Sequence, residues 1–164
     1  MAPWEPGAHI DLILPNWLTR QYSLCGDPAD RESYRIAVRH ESLSRGGSEY
    51  VHLFLRQGRT LEVSLPRNNF PLVAAPEYLF LAGGIGITPI LPMLRATVAA
   101  GATGTVVYVG KSLATMPFAD ELRSSYGDRV RIVATEERDR PDFAALASSW
   151  TPVRWSTAAA PPRC

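Results

Sequence analysis

The chain has 164 residues, 46% of them hydrophobic and 20% charged, with a formal net charge of +1. That is a globular composition with room for one ordinary domain or two small half-domains. Its 17 basic residues, all but Lys111 arginine, are interleaved with 16 acids, so no basic stripe favours nucleic acid or a membrane surface, and two cysteines (Cys25 and Cys164) exclude a disulfide framework and a four-thiolate cluster.

In chain order, the first residues lack the basic region and apolar core of a secretory leader, so a cytoplasmic protein is expected. Residues 8–65 read as β. Residues 8–14 alternate loosely, 20–25 form a short half-apolar run, and 34–39 alternate Tyr, Ile and Val against Arg, Ala and Arg. Pro15-Asn16 and Gly26-Asp27-Pro28 punctuate these runs as turns. Residues 48–56 predict a short helix opened by Gly46-Gly47-Ser48 and ended by Gly58, and residues 60–65 predict another strand.

From Pro76 the rhythm changes. Residues 78–82, 104–109 and 129–134 are short apolar runs, as in buried parallel strands. Helical stretches at 89–100, 118–126 and 142–149 alternate with them, which is the signature of a parallel sheet with helices on its faces. A boundary is therefore expected at residues 69–76.

The uncharged stretch 78–94 contains Gly83, Gly84, Gly86, Pro89 and Pro92, which suits a turn and not a lipid-exposed helix. Within it, Gly83-Gly84-Ile85-Gly86-Ile87-Thr88-Pro89 joins an apolar strand to a helix. Glycines there let the backbone approach a ligand, and the helix start aims free N–H groups at it. Thr88 is expected to cap the helix, Pro89 to take its first position, and Pro92 to remove one early helical hydrogen bond. The pattern is G-x-G-x-x-P, and no acid follows about 20 residues on, as a dinucleotide fingerprint would require. Alone, it is equally well a turn without a ligand. His9, His40 and His52 have no metal-ligand spacing, so no metal site is expected. Cys25 reads as a small core residue.

Arg20-Gln21-Tyr22-Ser23-Leu24, Gly46-Gly47-Ser48 and the 83–89 turn, in that order, resemble the ferredoxin–NADP reductase superfamily. The likeness is to its phthalate dioxygenase reductase type, which includes vanillate demethylase reductase subunits. The segments Pro6-Gly7-Ala8-His9-Ile10 and Pro66-Arg67-Asn68-Asn69-Phe70 also look like that type, and the resemblance runs to about Ala134. It implies an antiparallel flavin-binding β-barrel, incomplete at its N-terminal end, over residues 1–70. A parallel α/β nucleotide-binding domain would follow over 76–164, giving an α+β and α/β fold.

The resemblance also implies roles. Arg20 would pair with the flavin phosphate, Tyr22 would lie against the isoalloxazine, and Ser23 would hydrogen-bond near flavin N5, with Gln21 in the same cofactor-binding run. Gly46, Gly47 and Ser48 would present donors to the phosphate, and Ala37 and Val38 would run along the flavin. Gly84, Ile85, Gly86, Thr88 and Pro89 would form the nicotinamide pocket. Lys111 and Ser112 would hold the adenosine ribose. Ser23 and Thr88 are the candidate catalytic groups. The expected cofactors are FMN, with FAD as the alternative, and NADH over NADPH. Preference for NADH follows from the lack of an arginine clamp for a 2′-phosphate beside Lys111. The expected partner is an iron–sulfur oxygenase component or a ferredoxin.

Members of this type normally carry barrel strands before the segment matching Pro6, a Cys-Gly-Pro segment near the nicotinamide and a [2Fe–2S] domain. The chain is therefore expected to be truncated at both ends. One choice of synonymous codons for residues 155–164, read two bases later, spells Val-Tyr-Cys-Cys-Gly-Pro-Ala-Pro-Leu-Leu, so the tail after about residue 153 is expected to be frameshifted. A missing barrel face predicts self-association. Two functions follow: a flavin-dependent reductase module, or a non-catalytic remnant that binds nucleotide weakly or not at all.

Overall fold

The computed structural model describes residues 1–41, 46–137 and 141–149. The predicted tail beyond residue 153 lies outside the described residues.

Alternating side chains set up the first sheet. Strand β1 (Ala8–Ile13) buries Ala8, Ile10 and Leu12 and pairs antiparallel with β2 (Thr19–Ser23). On its other edge β1 pairs with two short strands, β3 (Glu62–Val63) and β4 (Arg67–Asn68). Among the described residues this sheet does not close into a barrel. The strand predicted over residues 60–65 is shorter than expected for a local reason. Asp11 N donates to the Ser64 hydroxyl (2.9 Å), where a ladder would use a main-chain carbonyl. Arg67 then reaches the Asp11 carboxylate and ties β4 across β1. That hydrogen bond holds the Asp11 carboxyl below the usual carboxylate range.

The strand predicted over residues 34–39 does not form. Cys25 N donates to Arg35 O (2.8 Å), but no ladder follows. Tyr34 and Ile36 instead pack as single extended residues against the cluster of Trp4, Ala8, Ile10 and Leu24. The helix predicted over 48–56 is α1 (Gly47–Phe54), entered from Gly46 in the left-handed region at φ 83°, a conformation that glycine adopts without a Cβ penalty.

The second sheet is parallel, in the order β5 (Glu77–Gly83), β6 (Thr103–Gly110), β7 (Val130–Ala134). Helix α2 (Ile90–Ala99) crosses from β5 to β6, and α3 (Ala119–Tyr126) from β6 to β7. On β6, Val106 and Tyr108 point into the main core with Phe80, Ala82, Leu94 and Leu122. Val107 and Val109 point to the opposite face with Val133, where Phe143 of α4 (Phe143–Ser149) packs. Tyr108 is completely buried and donates to Pro117 O (3.1 Å). Burial pushes its phenol up to about 12. Pro92 costs α2 no hydrogen bond, contrary to expectation: it is the third helical residue, where N–H groups have no intrahelical partner.

The two sheets are joined through side chains as well as chain. Arg95 on α2 donates to Gly26 O (3.0 Å) and lies 3.9 Å from Glu121 on α3. Arg35 approaches the same carboxylate at 3.7 Å, with its guanidinium 5.0 Å from the centre of the Phe118 ring. Cys25, from the turn after β2, is buried in the core of the parallel sheet and donates through Sγ to Arg35 O. Burial raises its thiol above the ordinary value, as fits a core residue.

Candidate functional site

A cleft of about 550 Å³ lies between the two sheets, within the range of roughly 300–1,000 Å³ for small-molecule sites. One wall is β2, which contributes Arg20, Gln21, Tyr22 and Ser23 in succession. Pairing with β1 fixes their order, with Arg20 opposite Leu12 and Tyr22 opposite Ile10. Arg20 and Tyr22 therefore share a face of the strand. Burial raises the Tyr22 phenol above its ordinary value, partly offset by the Arg20 charge. It stays neutral and presents a flat apolar face with a polar tip.

The start of α1 meets Arg20 directly. A Cβ on Gly47 would stand 2.5 Å from Arg20 Nε and 2.8 Å from its Cγ, so the guanidinium lies over the first helical turn because position 47 has no side chain. Free N–H groups of that turn and the Arg20 charge favour the same thing, an anion. The Ser48 hydroxyl lines the cleft and accepts from Glu41 N (3.3 Å), which leaves its proton free to donate.

The opposite wall is the glycine turn. Residues Gly84–Ile87 form one 3-10 turn, and Ile85, Gly86, Thr88 and Pro89 line the cleft. No heavy atom of the described residues lies within 4 Å of a Cβ built on Gly86, so its open side is cleft and not packing. Thr88 does not cap α2 as expected. It is already helical in backbone, its hydroxyl donates back to Ile85 O (3.0 Å), and α2 has no side-chain cap bond. The floor between the walls is the extended segment with Ala37 and Val38.

A second cavity of about 280 Å³ shares Ala37, Val38, Arg39 and Ile85 with the cleft and adds Gly84 and residues 114–117. The structure thus gathers Arg20, Gln21, Tyr22, Ser23, Ala37, Val38, Ser48, Ile85, Gly86, Thr88 and Pro89 around one cleft, with Gly84 next door, Gly47 against Arg20 and Gly46 before it, facing Leu18. Lys111 and Ser112 line neither space. They sit at the end of β6, where the Ser112 and Thr115 hydroxyls are 3.1 Å apart in a short turn.

Two lining residues escaped sequence reasoning. Arg39 borders both spaces and pairs with Glu41 (3.1 Å), which also lines the cleft. Arg39 was legible only as the polar side of a strand that does not form. Among the described residues no three potential ligands gather to hold a metal, and no helix is long and apolar enough to cross a membrane.

An open cleft with a guanidinium and a helix start at one end, a flat phenol along its side and hydroxyls from both walls suits a planar ligand with an anionic tail. Comparison with known proteins bears on what that ligand is. No family model matches the chain. The chain is 44% identical over 151 residues to phenoxybenzoate dioxygenase subunit beta of Ectopseudomonas oleovorans, covering 91% of this chain and 47% of that one. It is 42% identical over 126 residues to phthalate dioxygenase reductase of Burkholderia cepacia, covering 76% and 39%. The solved structure of a phthalate dioxygenase reductase, described as modular for electron transfer from pyridine nucleotides to [2Fe–2S], superposes with a TM-score of 0.86 at 37% identity, covering 93% of this chain and 49% of that one. The chain spans about half the length of curated relatives such as these.

Proposed function

Because the chain belongs to the ferredoxin–NADP reductase superfamily, in its phthalate dioxygenase reductase type, we propose that it is the flavin- and nicotinamide-binding part of an oxygenase or demethylase reductase component. It would take electrons from NADH and pass them towards an iron–sulfur oxygenase component or a ferredoxin. The observation that carries this is the composition of the cleft. The Arg20–Ser23 strand and Ser48 face Ile85, Gly86, Thr88 and Pro89 across one space, so one ligand from each wall can meet in the middle.

In this reading residues 1–70 bind the flavin and residues 76–164 the nucleotide. Arg20, the first turn of α1 with Gly46 and Gly47, and the Ser48 hydroxyl hold a single phosphate, which favours FMN over FAD. Gln21 and Tyr22 flank the ring, the Ser23 hydroxyl hydrogen-bonds near N5, and Ala37 and Val38 support its edge. Gly84, Ile85, Gly86, Thr88 and Pro89 receive the nicotinamide, the open side of Gly86 letting it approach the backbone closely. Lys111 and Ser112 lie on the adenosine side. A bound flavin supplies the chemistry the side chains lack, accepting two electrons together and releasing them singly. The residues bind, orient and shield. Ser23 and Thr88, on opposite walls, fix the distance between donor and acceptor, on which the transfer depends.

The test is reconstitution. Added FMN should bind with a change in flavin fluorescence, and anaerobic NADH should then bleach the bound flavin. Protein that takes up neither FMN nor FAD overturns this reading in favour of a non-catalytic chain.

A further inference from the structure

The chain turns from β1 into β2 through three residues, Pro15, Asn16 and Trp17. Leu14 N donates to Leu18 O (2.9 Å), and Trp17 N to Leu14 O (2.9 Å). A three-residue hairpin loop ends on a left-handed residue, a conformation that glycine or asparagine ordinarily supplies. Here it is Trp17, at φ 64°. A residue with a Cβ is strained there, and the indole gains no burial in return, standing 93% exposed. Among the described residues, nothing within one copy accounts for a tryptophan at this turn.

Beside it lies an apolar groove of about 490 Å³. Ile13, Leu14, Pro15 and Leu61 line it, Thr60 and Glu62 are its polar groups, and Trp17 forms one wall. It shares no residue with the cleft. An indole is an apolar slab with a single donor, its N–H. The Thr60 hydroxyl and the Glu62 carboxylate both accept, so the groove has the chemistry that an indole needs. Trp4 is buried elsewhere, and Trp17 is too exposed to fill the groove of its own copy.

We infer that this patch joins two copies of the chain, each placing its Trp17 in the groove of the other. A patch that carries both the knob and the hole is self-complementary, as a two-fold interface requires. Area sets the strength. An aromatic side chain buries about 150–250 Å², so two indoles and the groove surfaces they cover remove roughly 600–1,000 Å² from water. Stable complexes remove about 1,200–2,000 Å². The contact is therefore a weak dimer, which forms on concentration and separates on dilution. It stands apart from the flavin and nucleotide reading, because no residue of the cleft takes part.

The test is sedimentation of the full chain from about 5 to about 500 μM, a range that brackets a weak dimer. The wild-type sedimentation coefficient should rise with concentration from that of a monomer towards that of a dimer. Tryptophan emission should shift to the blue over the same range, as Trp17 leaves water. Trp17→Gly should associate at least about tenfold more weakly, as loss of an interface tryptophan does, and should lose the blue shift. Its urea midpoint should equal or exceed that of wild type, since glycine suits φ 64°. Thr60→Arg, at an exposed position on the groove, should weaken association while leaving the turn intact. A wild-type chain that stays monomeric to about 500 μM overturns the inference and leaves the groove to another partner. Association unchanged by Trp17→Gly overturns it by placing the contact on another face. A Trp17→Gly midpoint below that of wild type also overturns it, because Trp17 would then serve the fold of a single copy.

Discussion

A side chain at position 47 would collide with Arg20, since even a Cβ would stand 2.5 Å from Nε. The atoms that must yield belong to a flexible arginine and not to backbone, so the fold can survive while the guanidinium is displaced. Gly47→Ala should therefore change the unfolding free energy by less than about 1 kcal/mol, yet weaken FMN binding at least about tenfold, as measured by fluorescence titration. Arg20→Lys should also lose affinity, because a point charge replaces a planar fork. Equal loss of stability and affinity in Gly47→Ala would contradict this account. Tyr108 gives a prediction in pH. Its phenol titrates near 10 when unfolded and is pushed up to about 12 in the fold by burial. The folded state thus holds the proton more tightly, and the resulting stability is complete below pH 10 and lost between pH 10 and about pH 12. Urea midpoints across that window should fall more steeply for wild type than for Tyr108→Phe. At neutral pH the same substitution leaves Pro117 O without its donor, which should cost about 1–2 kcal/mol.

The parallel layer depends on one close approach between strand and helix. A Cβ on Gly104 of β6 would lie 2.9 Å from Leu94 Cδ1 and 3.1 Å from Thr97 Cγ2 on α2. Leu94 is fully buried and Thr97 nearly so, so neither can swing away. Gly104→Ala should destabilise the chain by about 1–3 kcal/mol, seen as a lower urea midpoint. A midpoint equal to wild type would mean that α2 slides freely on the sheet. The elements of this layer were legible in the sequence because each strand is apolar over most of its length and each helix starts at a break such as Pro89. The antiparallel layer was less legible. Residues 34–39 alternate as a strand should, but alternation reports which side chains are buried, not whether a neighbour completes the ladder. Ser64 likewise ended a strand through its own hydroxyl, a competition that no periodicity reveals. The site divides in the same way. Arg20 through Ser23 and the glycine turn are contiguous runs that can be read directly, whereas Arg39 beside Glu41 is a meeting that only the folded chain creates.

At the scale of the molecule the cleft has one wall from β2 and the other from the turn after β5, so a ligand that fills it would touch both layers. FMN present at a hundred times its dissociation constant should add about 2.7 kcal/mol to stability. The thermal transition should move up as a single step. Two transitions, of which only one responds to FMN, would show that the sheets unfold apart and that the ligand sees just one of them. The link between the sheets runs through Glu121, which faces Arg35 from one side and Arg95 from the other, while Arg95 also holds Gly26 O. These contacts carry a consequence for shuffled genes. A recombination joining residues 1–70 of one relative to residues 76 onward of another keeps each sheet intact but separates Arg35 from the acid that answers it. Such hybrids would be expected to lose that ion pair unless the two donors agree at position 121, keeping Arg95 on Gly26 O as the remaining tie, so inheritance of positions 35 and 121 should be weakly correlated among working hybrids even though the residues lie on different halves of the chain.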